Sequence, residues 1–132
     1  MSMLEPKRID IISVNENSNM FWLTMIEERK WDEVDQEFKT LEKKLNFYIG
    51  ATRDPTFYDQ IPQAKGRTMG IRIYCQHEPD EAGLRALSLA RAGCQHFGLI
   101  FKAFLFRDGE EVEEIRLPPA ENGFINEPSS NN

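Results

Sequence analysis

The amino-acid sequence predicts an α/β (α+β) fold: a two-layer sandwich in which a mixed four- or five-stranded sheet carries two helices packed on one face. Three observations support this. Two segments, 32–50 and 80–98, repeat apolar residues at helical spacing. Four shorter segments are apolar and strand-length, several of them alternating as a half-buried strand does. The order is strand, strand, helix, strand, helix, strand, and two amphipathic helices in that order bury their stripes against the sheet or each other. Crossovers between parallel strands are right-handed.

The first strand begins near Lys7, with Ile9, Ile11 and Ser13 on one side and Asp10, Ile12 and Val14 on the other. Asn15 to Asn19 reads as a polar turn, because asparagine tolerates the left-handed conformation and bonds its own backbone. A second strand, Met20 to Glu27, completes a hairpin. Asp32 is the predicted cap of the first helix, with Asp35 three residues on. Val34, Phe38, Leu41, Leu45 and Tyr48 form its apolar stripe, and Glu33, Lys39, Lys43 and Asn46 its wet side. Gly50 and Pro55 set its end. The connection 52–68 is long for structureless chain, and Phe57, Tyr58 and Ile61 pin part of it as a turn of helix.

A third strand, Met69 to Gln76, turns Met69, Ile71, Ile73 and Cys75 one way and Arg72, Tyr74 and Gln76 the other. Pro79 opens the second helix with Asp80 as its cap; Leu84, Leu87, Cys94 and Phe97 lie on or near one side, and Gly98 terminates it. Leu99 to Phe106 is a fourth strand, apolar on both faces. Asp108-Gly109 is a turn signal, after which 110–117 folds back as an edge strand blunted by glutamates. The expected organisation is one domain, 1–117, and a flexible polar tail, 118–132.

The 132 residues suit one ordinary domain. A formal net charge of -6, from 22 acidic and 16 basic residues, opposes loose binding to nucleic acid or anionic membranes. No stretch approaches the roughly 18 apolar residues that span a bilayer, and the segment from Met1 to Arg8 lacks the apolar run of a signal peptide. Cytoplasmic residence with two reduced cysteines, Cys75 and Cys94, is the expectation.

Chemistry is harder to find. Cys75-Gln76-His77 and Cys94-Gln95-His96 hold thiol and imidazole groups, yet residues two apart diverge on a helix, so a shared metal is not expected. Lys65-Gly66-Arg67 has the charge for a phosphate without the glycine-rich frame of a phosphate loop. No catalytic residue, metal site or cofactor is assigned. The candidate surface is the sheet face opposite the helices, with Arg72, Tyr74, Lys102, Phe104 and either Trp22 or Phe21, according to register.

Ile9-Asp10, Trp31-Asp32, Tyr58, the run Pro62-Gln63-Ala64-Lys65-Gly66-Arg67, Glu78-Pro79 and Gly83-Leu84 together resemble a family of small bacterial proteins of unknown function. The resemblance covers about residues 7–106 and implies a strand–strand–helix–strand–helix–strand domain. It brings no catalytic residues. Some small acidic proteins of this general kind act as immunity or antitoxin partners. The leading expectation is therefore an acidic protein-binding module, of immunity or antitoxin type against a basic protein. One alternative is an enzyme using Cys75, His77 and the Lys65–Arg67 loop; another is a homodimeric structural protein without catalytic role. The expected partners are a protein or a second copy, with no nucleic acid and no membrane.

Overall fold

The structure, a computed structural model, describes residues 7–107 and 112–119. It is an α+β fold with a five-stranded mixed sheet and three helices. Strands β1 (Ile11–Asn15), β2 (Met20–Glu27), β3 (Thr68–Cys75), β4 (Ile100–Leu105) and β5 (Glu113–Ile115) lie in the order β1-β2-β3-β4-β5. The outer pairs are antiparallel, and β2, β3 and β4 are mutually parallel. Helix α1 (Val34–Thr52) connects β2 to β3, followed by the short α2 (Pro55–Gln60) and a 3-10 turn, Pro62–Ala64; α3 (Glu81–His96) connects β3 to β4.

Alternation decides what the sheet buries. Phe21, Leu23 and Met25 of β2, Met69, Ile71, Ile73 and Cys75 of β3, and Phe101 and Ala103 of β4 join one core cluster. From the helices it takes Leu41, Leu45, Tyr48, Ile49, Leu87, Ala90 and Cys94. The even-numbered residues of the same strands point the other way.

Several boundaries differ from the sequence prediction, each for a local reason. The cap of α1 is Glu33, with no side-chain cap bond, so Asp32 lies outside the helix. The helix runs past Gly50 to Thr52, where Thr52 Oγ1 donates to the Ile49 carbonyl and Tyr58 Oη donates to the Thr52 carbonyl at 2.6 Å. Asp54 caps α2 by accepting from the Thr56 N–H, with Pro55 at its first turn. Asp80 caps α3 as predicted, accepting from the Gly83 N–H at 2.8 Å. Phe97 leaves the predicted apolar side: the helix ends at His96, and the Phe97 ring is 44% exposed with the Arg53 guanidinium over it.

The first strand is shorter than predicted, and the edge strand is reduced to three residues. The Asp108-Gly109 turn lies outside the described residues. Beyond β5, the Pro118 carbonyl accepts from Ser88 Oγ and Arg91 Nη2, each at 2.7 Å, which ties this segment to α3. The predicted tail from residue 120 onward lies outside the described residues.

Two ion pairs, each with one member buried, complete the frame. Lys44, fully buried, meets the Asp10 carboxylate at 3.0 Å, and one helical turn on, Tyr48 Oη accepts from the Asp10 N–H and donates to the Thr24 carbonyl. Glu27, 1% exposed, holds Arg29 through both carboxylate oxygens, and Arg29 Nη1 donates to Thr40 Oγ1.

Candidate functional site

The register sets three rows across the face opposite the core. They are Ser13–Trp22–Gly70–Ile100, Ile11–Thr24–Arg72–Lys102 and Ile26–Tyr74–Phe104–Glu114. Trp22 is thereby the tryptophan of this face, and Phe21 belongs to the core. Trp22 lies across Gly70: a Cβ at Gly70 would stand 2.5 Å from its ring. The bare glycine backbone is what lets the indole lie flat on the sheet. Gly70→Ala is therefore expected to displace Trp22 and cost about 1–3 kcal/mol. Denaturant titration with tryptophan fluorescence measures both effects.

Arg72 organises the middle of the face. Its Nε donates to Thr24 Oγ1 at 2.9 Å and its Nη2 to Ser13 Oγ at 2.8 Å. The guanidinium lies 5.2 Å from the Trp22 ring and 5.4 Å from that of Tyr74. Tyr74 in turn meets Phe104 edge-to-face and stacks on Phe106. Lys102 pairs across the strands with Glu114 at 3.8 Å. Its neighbour β5 lengthens the sheet beside β4 instead of crossing the face. Tyr74, Phe104 and Phe106 remain half-buried. The polar hairpin end of the face adds a depression of about 320 Å³ lined by Ser13, Val14, Asn15, Glu16, Asn17, Trp22 and Arg72.

The Lys65–Arg67 loop of the enzyme alternative is not brought to Cys75 and His77, which lie together at the far end of β3. Lys65 and Arg67 precede β3 and His77 follows it, so about 26 Å of strand separates them. Arg67 is engaged locally, donating to the Gln63 carbonyl and to Asn19 Oδ1, while Asn19 Nδ2 donates to the Gly66 carbonyl. Asn19 has φ 56 and Gly66 φ 75, so this contact joins two left-handed residues and ties the hairpin turn to the loop. The two Cys-Gln-His runs separate likewise, because α3 carries His96 about 24 Å from its own start, beside which His77 lies. Among the described residues no three His, Cys, Asp or Glu side chains are placed to hold a metal.

Cys75 and Cys94 are free thiols with no exposed surface, and burial pushes each up to about 12, Cys75 further aided by the Glu27 charge. Both are expected to resist a thiol reagent at pH 8 in the native state and to react together on unfolding; rapid native labelling would contradict their burial. The folded state retains these protons above the ordinary thiol value of 9, so stability falls as pH rises from about 9 toward 12.

The parallel strands also lack the crevice of nucleotide-binding α/β sheets. Both crossovers step the same way along the order β1-β2-β3-β4-β5, so no topological switch point opens between them. No described helix is long and apolar enough to cross a membrane.

The fold and its surfaces define a small α+β protein with an aromatic sheet face. Residues 1–107 match the family of unknown function DUF6572, and the chain belongs to that family. No curated protein and no solved structure matches it.

Proposed function

We propose that this chain is a protein-binding domain whose docking surface is the sheet face carrying Arg72, Tyr74, Lys102 and Phe104, the helices forming a second layer behind it. The observation that carries this reading is the half-buried cluster of Arg72, Tyr74, Phe104 and Phe106, ring against cation, resting beside Trp22, which is itself buried. Aromatic residues and arginine supply most of the energy in protein interfaces, because they bury large area at low entropy cost. The charges on the face are already neutralised or hydrogen-bonded, Arg72 by Thr24 and Ser13 and Lys102 by Glu114. A partner covering Lys102 and Glu114 together leaves neither uncompensated, whereas Arg72, hydrogen-bonded to two neutral hydroxyls, keeps its positive charge and calls for an acceptor on the partner.

The partner is a basic protein, since a net charge of -6 speeds its capture. In its sharper form this is inhibitory capture of the immunity or antitoxin kind, in the cytoplasm, where Cys75 and Cys94 stay reduced. The test is affinity capture from native cells with the wild-type chain and with the Tyr74→Ala/Phe104→Ala variant as bait. Wild type retains a stoichiometric protein, and the double variant loses at least about 2 kcal/mol of affinity for it, roughly 30-fold. Equal retention by both removes the face from the reading, and retention by neither removes the reading.

A second reading, self-association, is favoured by the β1 edge. Its Ile11, Ile12 and Val14 are 45%, 41% and 37% exposed, and its outer side has no neighbour in the sheet. Replacing Ile12 by Lys at that edge dissociates such a dimer; a monomeric mass for wild type at high concentration overturns it.

A further inference from the structure

At the opposite end of β2 from the hairpin, the start of α1 forms a depression of about 360 Å³ lined by Arg29, Lys30, Asp32, Glu33, Gln36 and Glu37. It holds three carboxylates and two cations, and one of those cations, Arg29, is engaged by the Glu27 carboxylate, itself buried. A second depression, of about 550 Å³, shares Asp32, Glu33 and Gln36 with it and adds Asp35 and Asp80 without a basic residue. The two make one acidic hollow over the first turn of α1.

Acidity alone does not make a binding site, and Glu37 supplies the second observation. Its side chain is 5% exposed, and its Oε1 has no hydrogen-bond partner. The Arg29 charge and the Glu33 backbone both favour its ionised form, yet neither hydrogen-bonds Oε1. A buried acceptor without a donor is destabilising. The fold tolerates that cost at a residue lining an acidic depression, where an incoming N–H group would remove it.

We infer that this hollow is a recognition pocket for a cationic side chain, a lysine or arginine of a protein partner, with Glu37 as the buried acceptor and Asp32 and Glu33 as the exposed rim. An organic cation fits better than a metal ion, since no three ligating side chains are placed for one among the described residues. The inference deepens the proposed capture of a basic protein and rests on that reading only for the origin of the side chain. Desolvation holds the Glu37 carboxyl above its ordinary value, Glu27 and Asp32 raise it further, and Arg29 and the Glu33 N–H oppose them. Binding is therefore strongest with Glu37 ionised and weakens as pH falls through its raised value. Lys30 lines the same depression.

The experiment titrates the full chain with N-acetyl-arginine-methylamide and N-acetyl-lysine-methylamide, following backbone amide shifts by NMR at two pH values. The expected result is saturable shifts concentrated at residues 29–37, weakened at least tenfold by Glu37→Gln and reduced at the lower pH. Asp32→Asn/Glu33→Gln, which changes only exposed residues, lowers affinity too and covers the case in which Glu37→Gln fails to fold. Tyr74→Ala/Phe104→Ala leaves probe binding unchanged. Probe binding here without any captured protein would sustain this pocket and defeat the proposed function. Capture through the sheet face without probe binding would do the reverse. Shifts spread over all acidic surface and indifferent to Glu37, or no shifts, overturn the inference.

Discussion

Asp10→Ala is expected to lower the unfolding free energy by about 3–5 kcal/mol, the usual cost of removing one member of a buried ion pair. Lys44 has no exposed side-chain surface and faces the Asp10 carboxylate at 3.2 and 3.0 Å. Asp10 precedes β1, so this pair anchors the start of the chain's first strand to α1. The Asp10→Ala/Lys44→Met double variant removes both charges and fills the space with a flexible apolar chain. It is expected to recover most of the loss, because a buried ion pair and its apolar replacement are often close in energy. Denaturant titrations of wild type, the single variants and the double variant give the coupling energy. A loss below about 1 kcal/mol for Asp10→Ala would show that the Lys44 ammonium is satisfied without the Asp10 carboxylate, contrary to the role given to this pair.

Leu41→Ala and Leu45→Ala are each expected to cost about 2–5 kcal/mol, combining lost transfer energy with the cavity left behind. Leu41 is 1% exposed and Leu45 6%, and both belong to the core cluster formed with β2, β3 and α3. Phe97→Ala supplies the contrast. It removes a larger side chain, yet one whose ring is 44% exposed and rests against Arg53, so the expected cost stays below about 1 kcal/mol. Equal losses at Leu41 and Phe97 would contradict this burial pattern.

The contrast between those residues shows how far the sequence could be read. Periodicity identifies Leu41, Leu45 and Tyr48, because a helical stripe repeats locally and needs no knowledge of the neighbour. It misleads at Phe97, since the stripe continues in sequence after the helix has ended at His96. Alternation along β3 and β4 separates Ile73 and Cys75 from Arg72 and Tyr74, which made the aromatic face legible. The register across strands was not legible, so Trp22 and Phe21 remained alternatives until pairing fixed Trp22 opposite Gly70. Lys44 was invisible: a charged residue on a helix reads as wet unless its carboxylate partner, 34 positions away, is known. Glu27 did leave a trace, an acid at a core-facing position two residues before an arginine. Its meaning required seeing Arg29 fold back onto it. The hollow at Glu37 drew on residues from two helix starts, which no linear motif records.

Site-specific photocrosslinking in native cells reads out whether the aromatic sheet face contacts another protein, as proposed. A photoreactive side chain replaces Phe104 on that face or, as the control, Arg85, an exposed residue of α3. The expected result is one discrete crosslinked protein from position 104 and none from position 85. The Tyr74→Ala background should abolish the product. Crosslinking from position 85 alone, or none from position 104 with the protein folded, would contradict it.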